Sequence, residues 1–116
     1  MMTSQQLIQA LRATPANINF SDVINTIEKE YDFTPTYFKN GTQINNANEN
    51  NGSCKILAFA KLHNLDKTET LQLFGDYYRL DVLNNPTGID HQNIRQFMQH
   101  GWEQVSFDQF PIAPMK

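Results

Sequence analysis

Cysteine, charged residues and long apolar runs are all scarce in this chain, and each shortage excludes a class of protein. The single cysteine, Cys54, rules out an internal disulfide. No apolar run approaches the roughly 18 residues of a membrane span, so we expect no membrane insertion. The first residues lack the basic start and apolar core of a secretory signal peptide, so we expect no leader of that kind.

The shortage of charge also limits the choice of partner. Charged residues make up 18% of the chain, below the roughly 25% of an average globular protein, and Asn and Gln chiefly fill the difference. The net charge is −3 and the pI is about 5.5, so the basic footprint of a nucleic-acid-binding protein is absent and we predict no nucleic-acid partner. The length of 116 residues predicts one domain, residues 1–116, with a single core.

Capping patterns predict where three helices begin. Thr3-x-x-Gln6 resembles a capping box, in which the two side chains and the backbone N–H groups bond reciprocally. Asn19 is a good N-cap for a second helix, whose apolar residues recur at helical spacing. Asp66-x-x-Glu69 is another capping box, at the start of a fourth helix.

Apolar patterning predicts two further helices. The segment from Cys54 to His63, capped by Asn51 or Ser53, is apolar nearly all round and should form a central, buried helix. The last helix should run from His91 to His100, with Asp90 as its N-cap.

A small sheet is predicted beside these helices. Asn40-Gly41 lies between two β-prone runs, 36–38 and 42–44, which is the best short signal for a hairpin. Residues 102–107 should form a strand that joins the hairpin, and the tail at 110–114 should be irregular. The sequence therefore predicts an α+β fold, a mostly helical small single domain of about five helices, with a short antiparallel sheet made of the hairpin and a C-terminal strand.

The segment 74–102 sets hydrogen-bonding side chains directly against bulky apolar ones, as in a buried polar network or a lined pocket. Asp81 follows Tyr78 by three residues and Tyr77 by four, so the three side chains should share one helix face. Gly75 is a candidate break or close-contact point in that helix.

Polar residues also border the apolar stripe of the last predicted helix. His91 and Asn93 flank the stripe, and Arg95 lies just beyond His91. Such half-buried polar groups need partners, so we predict a network of Asp81, His91 and Arg95, which Lys55 can join. The network has two interpretations, a ligand-binding pocket or a structural link between two helices.

Cys54 and Lys55 lie at a predicted helix start, where free backbone N–H groups favour anions and can lower the pKa of a thiol. Lys55 falls on an apolar face, so it should have an anionic partner, either a structural carboxylate or a ligand. Cys54 is either a small core residue or a nucleophile, for which His91 is the only plausible base.

Two metal-site patterns are incomplete. Asn46, Asn48 and Asn50 alternate as calcium-loop ligands do, but they are uncharged and Leu57 stands where the closing Glu belongs. His, Cys and carboxylate side chains do not cluster at the spacing of zinc ligands. We predict no metal and no cofactor.

Three runs resemble the HopJ type III effector family of bacteria: YDFTPTYFKNG (31–41), NNGSCKILAFAKLHNL (50–65) and LFGDYYRLDVLNNPTGIDHQNIRQFMQHGW (73–102). The resemblance is strongest over residues 20–107. It implies a protein of the bacterial cytoplasm, or one that a type III secretion apparatus delivers into a host cell, where it would contribute to virulence. It implies no particular reaction, cofactor or catalytic residue.

The sequence supports two hypotheses of function. The first is a non-enzymatic binding or effector protein, whose polar-aromatic pocket holds a small-molecule ligand or a protein, a host protein if the chain is secreted. The residues predicted to bind are Lys55, Tyr77, Tyr78, Asp81, His91, Asn93 and Arg95. The second is a small hydrolase or acyltransferase that uses Cys54 or Asp81 with His91.

Overall fold

Five α-helices and five short strands occur in residues 2–115, the part of the chain that this computed structural model describes. The helices are α1 (Ser4–Ala13), α2 (Phe20–Glu30), α3 (Asn51–Leu62), α4 (Lys67–Gln72) and α5 (Gln92–His100). The strands are β1 (Tyr31–Phe33), β2 (Phe38–Asn40), β3 (Gln43–Asn45), β4 (Val105–Phe107) and β5 (Ile112–Pro114). A π-helical segment, Tyr77–Val82, follows α4, and 3₁₀ turns cover Pro15–Asn17 and Gly101–Gln104.

The strands form two small antiparallel sheets. One has the order β3-β2-β4, with Phe38 paired to Asn45 and to Phe107, and the other pairs β1 with β5. The predicted α+β fold, with its hairpin and added C-terminal strand, is confirmed, but the strand begins at Val105 and not at Trp102, because Gly101–Gln104 forms a 3₁₀ turn. The prediction of an irregular tail is wrong, because Ile112–Pro114 pairs with β1. A proline such as Pro114 is tolerated in a strand that has a neighbour on one side only.

The hairpin turn lies further along the chain than predicted. Asn40 pairs with Gln43, so the turn is Gly41-Thr42, whereas the predicted runs 36–38 and 42–44 place it at residues 39–41. Gly41 has a φ of 59°, and a glycine with positive φ in the first turn position is what a type II′ turn needs. The shift places Asn40 inside a strand, where its side chain is fully buried.

Helix α3 lies at the centre of the core, as predicted. Its buried residues include Ile56, Leu57 and Phe59, all with no exposed surface, and α2 packs against it. The predicted capping boxes at Thr3 and Asp66 are both present. Asn19 caps α2 as predicted, by accepting a hydrogen bond from the backbone of the third residue that follows it.

Two predicted helix starts are wrong. Helix α3 begins at Asn51, so neither Asn51 nor Ser53 is its cap, and α5 follows His91, so Asp90 is not its cap. The residues that precede the two helices, Asn50 and His91, both have a φ of 53°. A left-handed residue turns the chain into the helix here, and capping patterns carry no signal for that arrangement.

The predicted break at Gly75 occurs. Helix α4 ends at Gln72, and Gly75 has a φ of +62°. A β-carbon added at Gly75 would lie 2.8 Å from the backbone nitrogen of Phe20, so any larger residue would push α2 away. Tyr77 and Asp81 therefore belong to the separate π-helical segment.

Phe59→Ala should lower the free energy of unfolding by about 3–5 kcal/mol, because the ring is fully buried and its loss leaves a cavity. Chemical denaturation of the two proteins measures the difference. Phe110→Ala is the control, since this ring is 43% exposed and should cost below about 1 kcal/mol. A similar cost for the two variants would show that α3 is not the centre of the core.

Candidate functional site

A cavity of about 480 Å³ opens between the first turns of α3 and α5. We call it the amide–aromatic pocket. Its lining comprises four side-chain amides, four rings, a hydroxyl, a glycine and two isoleucines, namely Gln43, Asn50, Gln92 and Asn93, then Phe20, Phe74, Tyr77 and His91, then Ser53, Gly52, Ile89 and Ile94. A volume of this size lies within the range of roughly 300–1,000 Å³ that is typical of small-molecule sites.

Both helices that meet at the pocket begin without a side-chain cap. Asn50 and His91 precede α3 and α5, and neither side chain accepts a hydrogen bond from its helix. The first-turn residues Gly52, Ser53 and Asn93 line the cavity. The backbone N–H groups of these three residues have no intrahelical partner, so they are available as donors beside the pocket. Positive φ at a non-glycine residue costs on the order of 1–3 kcal/mol where it is strained, and such residues often cluster at binding sites.

Four asparagines, three of them buried, join the segments that form the pocket. Asn93 Nδ2 donates to Asn45 Oδ1 at 2.9 Å, and Asn45 Nδ2 donates to Asn93 Oδ1 at 3.2 Å. Asn40 Nδ2 donates to the backbone carbonyl of Asn93 at 2.7 Å, and Asn50 Nδ2 donates to Asn45 Oδ1 at 2.7 Å. These bonds tie the hairpin to the first turn of α5 and to the loop before α3. We call this set the asparagine cluster.

Asn93 was predicted from the sequence, but Asn40, Asn45 and Asn50 were not recognised as parts of one site. Their signal was the unusual run of asparagines between residues 40 and 51, which resembled a polar loop. A neutral amide is equally suited to a solvated turn and to a buried network, so its sequence position does not distinguish the two. The pocket residues Phe20 and Gln43 were missed for the same lack of a local signal.

Aromatic rings form one wall. Phe20 and Tyr77 are in edge-to-face contact with centroids 5.0 Å apart, and the rings of Tyr77 and His91 lie 5.2 Å apart with a tilt of 38°. The Phe20 ring also lies against Gly52, where an added β-carbon would be 3.0 Å from the ring. Gly52 therefore lets the aromatic wall approach the first turn of α3.

Asp81 and His91 are brought together by the structure. Asp81 Oδ2 lies 3.0 Å from His91 Nε2, and Asp90 Oδ2 lies 3.8 Å from the same nitrogen. If Nε2 carries the proton and donates to Asp81, Nδ1 is left as the acceptor of the neutral ring. The pair is partly exposed, with 29% of the His91 side chain and 48% of the Asp81 side chain accessible.

Arg95 is not brought to Asp81. Its guanidinium instead bonds Asp90 Oδ1 at 2.6 Å and the backbone carbonyl of Asn85 at 2.8 Å. The hydrogen bond from Arg95 holds the pKa of Asp90 below its ordinary value. Arg95 therefore fastens the loop before α5, and it is linked to the Asp81–His91 pair only through Asp90.

Two other predicted binding residues lie away from the pocket. Lys55 Nζ is 2.8 Å from Glu28 Oε2 and 4.8 Å from the centre of the Phe33 ring, so its anionic partner is a structural carboxylate. Tyr78 packs against the hydrophobic core. Of the seven predicted residues, the pocket lining contains Tyr77, His91 and Asn93. Asp81 lies outside the lining and is hydrogen-bonded to His91.

Cys54 is not placed to act as a nucleophile. Its residue is 1% exposed, and burial raises the pKa of the thiol to about 12, with the charge of Lys55 lowering it only in part. The thiolate that a nucleophile needs is therefore suppressed at neutral pH. Cys54 also does not line the pocket that contains His91, so the structure does not favour the hypothesis of a Cys54–His91 enzyme.

Neither a metal-binding cluster nor a membrane-spanning helix occurs in residues 2–115. No cluster of three or more His, Cys, Asp or Glu residues in that range could hold a metal ion. No helix there is both long and apolar enough to cross a bilayer.

Comparison with known proteins gives a family and a solved structure. The profile of a family described as HopJ type III effector protein matches residues 4–112, which extends the predicted resemblance to α1 and to the first residue of β5. The crystal structure of VPA0580, described as a protein of unknown function, has a TM-score of 0.96 and 50% identity, over 98% of this chain and 95% of that one. No curated protein matches the chain.

Cys54 should react with a mild thiol reagent only when the protein unfolds, because its sulfur is buried and protonated. Ellman's reagent, added at neutral pH with and without denaturant, measures the rate of labelling. A Ser53→Cys, Cys54→Ala double variant is a matched control, since its thiol lies at the pocket wall and should react in the folded state. Equally fast labelling of the folded wild-type protein would restore Cys54 as a candidate nucleophile.

Proposed function

We propose that this chain, which belongs to the HopJ type III effector family, is a non-enzymatic protein that binds a small ligand in the amide–aromatic pocket. We further propose that the chain acts as an effector in a host cell after type III secretion, with ligand binding as its activity there. The family match supports the effector role and does not specify the ligand.

The single observation that carries the binding proposal is the way the pocket is built. Two helices begin at one cavity, each from a left-handed residue and with its first-turn N–H groups uncapped. A side-chain cap typically contributes about 1 kcal/mol to a helix, so leaving both ends open sacrifices stability. Donors that are left free at a cavity of small-molecule size are available to a ligand.

An enzyme remains the second candidate, because the Asp81–His91 pair borders a hydroxyl in the same pocket. Ser53 and His91 both line the cavity, and the carboxylate of Asp81 can hold His91 in the tautomer that leaves Nδ1 as a base. In such an enzyme, Nδ1 of His91 would take the hydroxyl proton of Ser53 while the Ser53 oxygen attacked an ester or amide carbonyl. The uncapped N–H groups would then stabilise the oxyanion.

Tyr77→Leu should weaken the binding of small aromatic probes about fivefold or more, because it removes the exposed ring of the pocket wall. Phenol and indole, titrated into ¹⁵N-labelled protein, should shift the amide resonances of Gly52, Ser53 and Asn93. Phe110→Leu is the matched control, since Phe110 is 43% exposed and Tyr77 is 44% exposed. The binding proposal fails if neither probe shifts these resonances, or if both variants bind equally well.

Asp81→Asn separates binding from catalysis. The variant should lose no more than about 1 kcal/mol of stability, since the Asp81–His91 contact is largely exposed. Under the binding proposal, the wild-type protein, Asp81→Asn and Ser53→Ala should hydrolyse p-nitrophenyl acetate at the same background rate. A fall of about tenfold or more in both variants would favour the enzyme, because the pair and the hydroxyl would then act together.

A further inference from the structure

We propose that the ligand of the amide–aromatic pocket is a neutral, planar heterocycle that carries a hydrogen-bond donor next to an acceptor, as a nucleobase does. This inference rests on the proposed binding function and adds the chemical class of the ligand. It is carried by the charge, the hydrogen-bonding groups and the shape of the pocket lining.

The pocket lining carries no Asp, Glu, Lys or Arg among the described residues. A site for an ionic ligand normally contains a side chain of the opposite charge, since a buried charge requires a partner. Four uncharged side-chain amides stand in the lining instead. The lining therefore suits a ligand without net charge.

The amide nitrogens of the lining are largely committed to the protein. Gln43 Nε2 donates to the backbone carbonyl of Ile44 at 3.3 Å, and Asn50 Nδ2 donates to Asn45 Oδ1 at 2.7 Å. Gln92 Nε2 donates to the backbone carbonyl of Ile89 at 2.9 Å. These bonds orient the side chains and leave the carbonyl oxygens of Gln43 and Asn50 as acceptors for a ligand.

Donors come from the backbone. The N–H groups of Gly52 and Ser53 in α3 and of Asn93 in α5 have no intrahelical partner. The pocket thus presents acceptors from side chains and donors from helix starts. An anion would use the donors and face the acceptor oxygens unfavourably, and a cation would do the reverse. Only a ligand with both kinds of group satisfies the lining.

Opposing electrostatic contributions also leave the pocket close to neutral. The two helix starts each carry a partial positive charge of about half an elementary charge. The carboxylates of Asp81 and Asp90 lie 3.0 and 3.8 Å from His91 Nε2, and they act in the opposite direction. Arg95 neutralises part of this effect by pairing with Asp90. Neither sign of charge dominates at the ligand position.

The shape of the wall favours a flat ligand. The rings of Tyr77 and His91 are tilted by only 38°, and Tyr77 is 44% exposed despite its contacts with the Phe20 and His91 rings, so part of its surface is open to a stacked ligand. Stacking on such a ring requires only a flat π-face, which every nucleobase has, so it does not select one base over another. The combination of a stacking ring with paired donors and acceptors distinguishes a heterocycle from a simple hydrocarbon ring and from a sugar.

Isothermal titration calorimetry with uridine, adenosine, uridine 5′-monophosphate and glucose tests the ligand class. Uridine or adenosine should bind about fivefold or more tightly than phenol, because phenol lacks the adjacent donor and acceptor. The phosphate of uridine monophosphate should change the affinity by less than about threefold, since the lining supplies no cation. Glucose should not bind measurably.

Two substitutions at Gln43 test the acceptor directly. Gln43→Met keeps the size of the side chain but removes its oxygen, and should lower the affinity for the nucleoside about fivefold or more. Gln43→Glu retains an acceptor oxygen and should stay within about threefold of the wild-type protein for the neutral nucleoside. Gln99→Met, on the exposed face of α5, is the matched control and should not change binding.

The outcomes separate this inference from the proposed function. Phosphate that strengthens binding about tenfold or more would show an anion site, and preferred binding of glucose would show a polyol site. Either result would overturn the ligand class and leave the binding function standing. The same conclusion would follow if nucleosides bound no better than phenol, or if Gln43→Met bound the nucleoside with unchanged affinity. If phenol and indole also fail to bind at the pocket, the proposed function falls with the inference.

Discussion

Hydrogen bonds between buried, uncharged asparagines hold together the segments that form the pocket. Asn40, Asn45 and Asn93 are each at most 5% exposed, so their amides have little access to water. A buried polar group that loses its partner costs about 1–3 kcal/mol, which is a large part of the stability of a small domain. The hairpin and the first turn of α5 are therefore restricted to the one arrangement in which these amides bond each other.

This restriction reaches the pocket through the start of α5. Asn93 belongs to the asparagine cluster, and His91 lies two residues before it with a left-handed backbone. The position of Asn93 therefore fixes where the His91 ring lies, beside Tyr77 and within bonding distance of Asp81. The asparagine cluster acts as a support for side chains that face the cavity, in the way that outer hydrogen bonds orient the groups of a binding site.

Local signals predicted more of this protein than distant ones did. The capping boxes at Thr3 and Asp66 and the buried α3 were predicted correctly, because capping and apolar periodicity are determined by residues a few positions apart. The left-handed residues before α3 and α5, Asn50 and His91, were missed, since tertiary contacts maintain their conformation and no nearby residue indicates it. Asp81 and His91 were correctly brought together, but Arg95 was assigned to the wrong carboxylate because two aspartates compete for it.

The pairing of β1 with β5 gives the domain a closed chain topology. Phe33 pairs with Ile112, and the nearby pair of Phe38 with Phe107 already closes almost the same loop, so the β1–β5 pair adds little loop entropy of its own. Each strand has three residues, so few hydrogen bonds join the two. The β1–β5 pair should consequently open early in local unfolding. Since the β1–β5 pair contributes no residue to the pocket lining, the two strands can separate while the binding cavity stays intact.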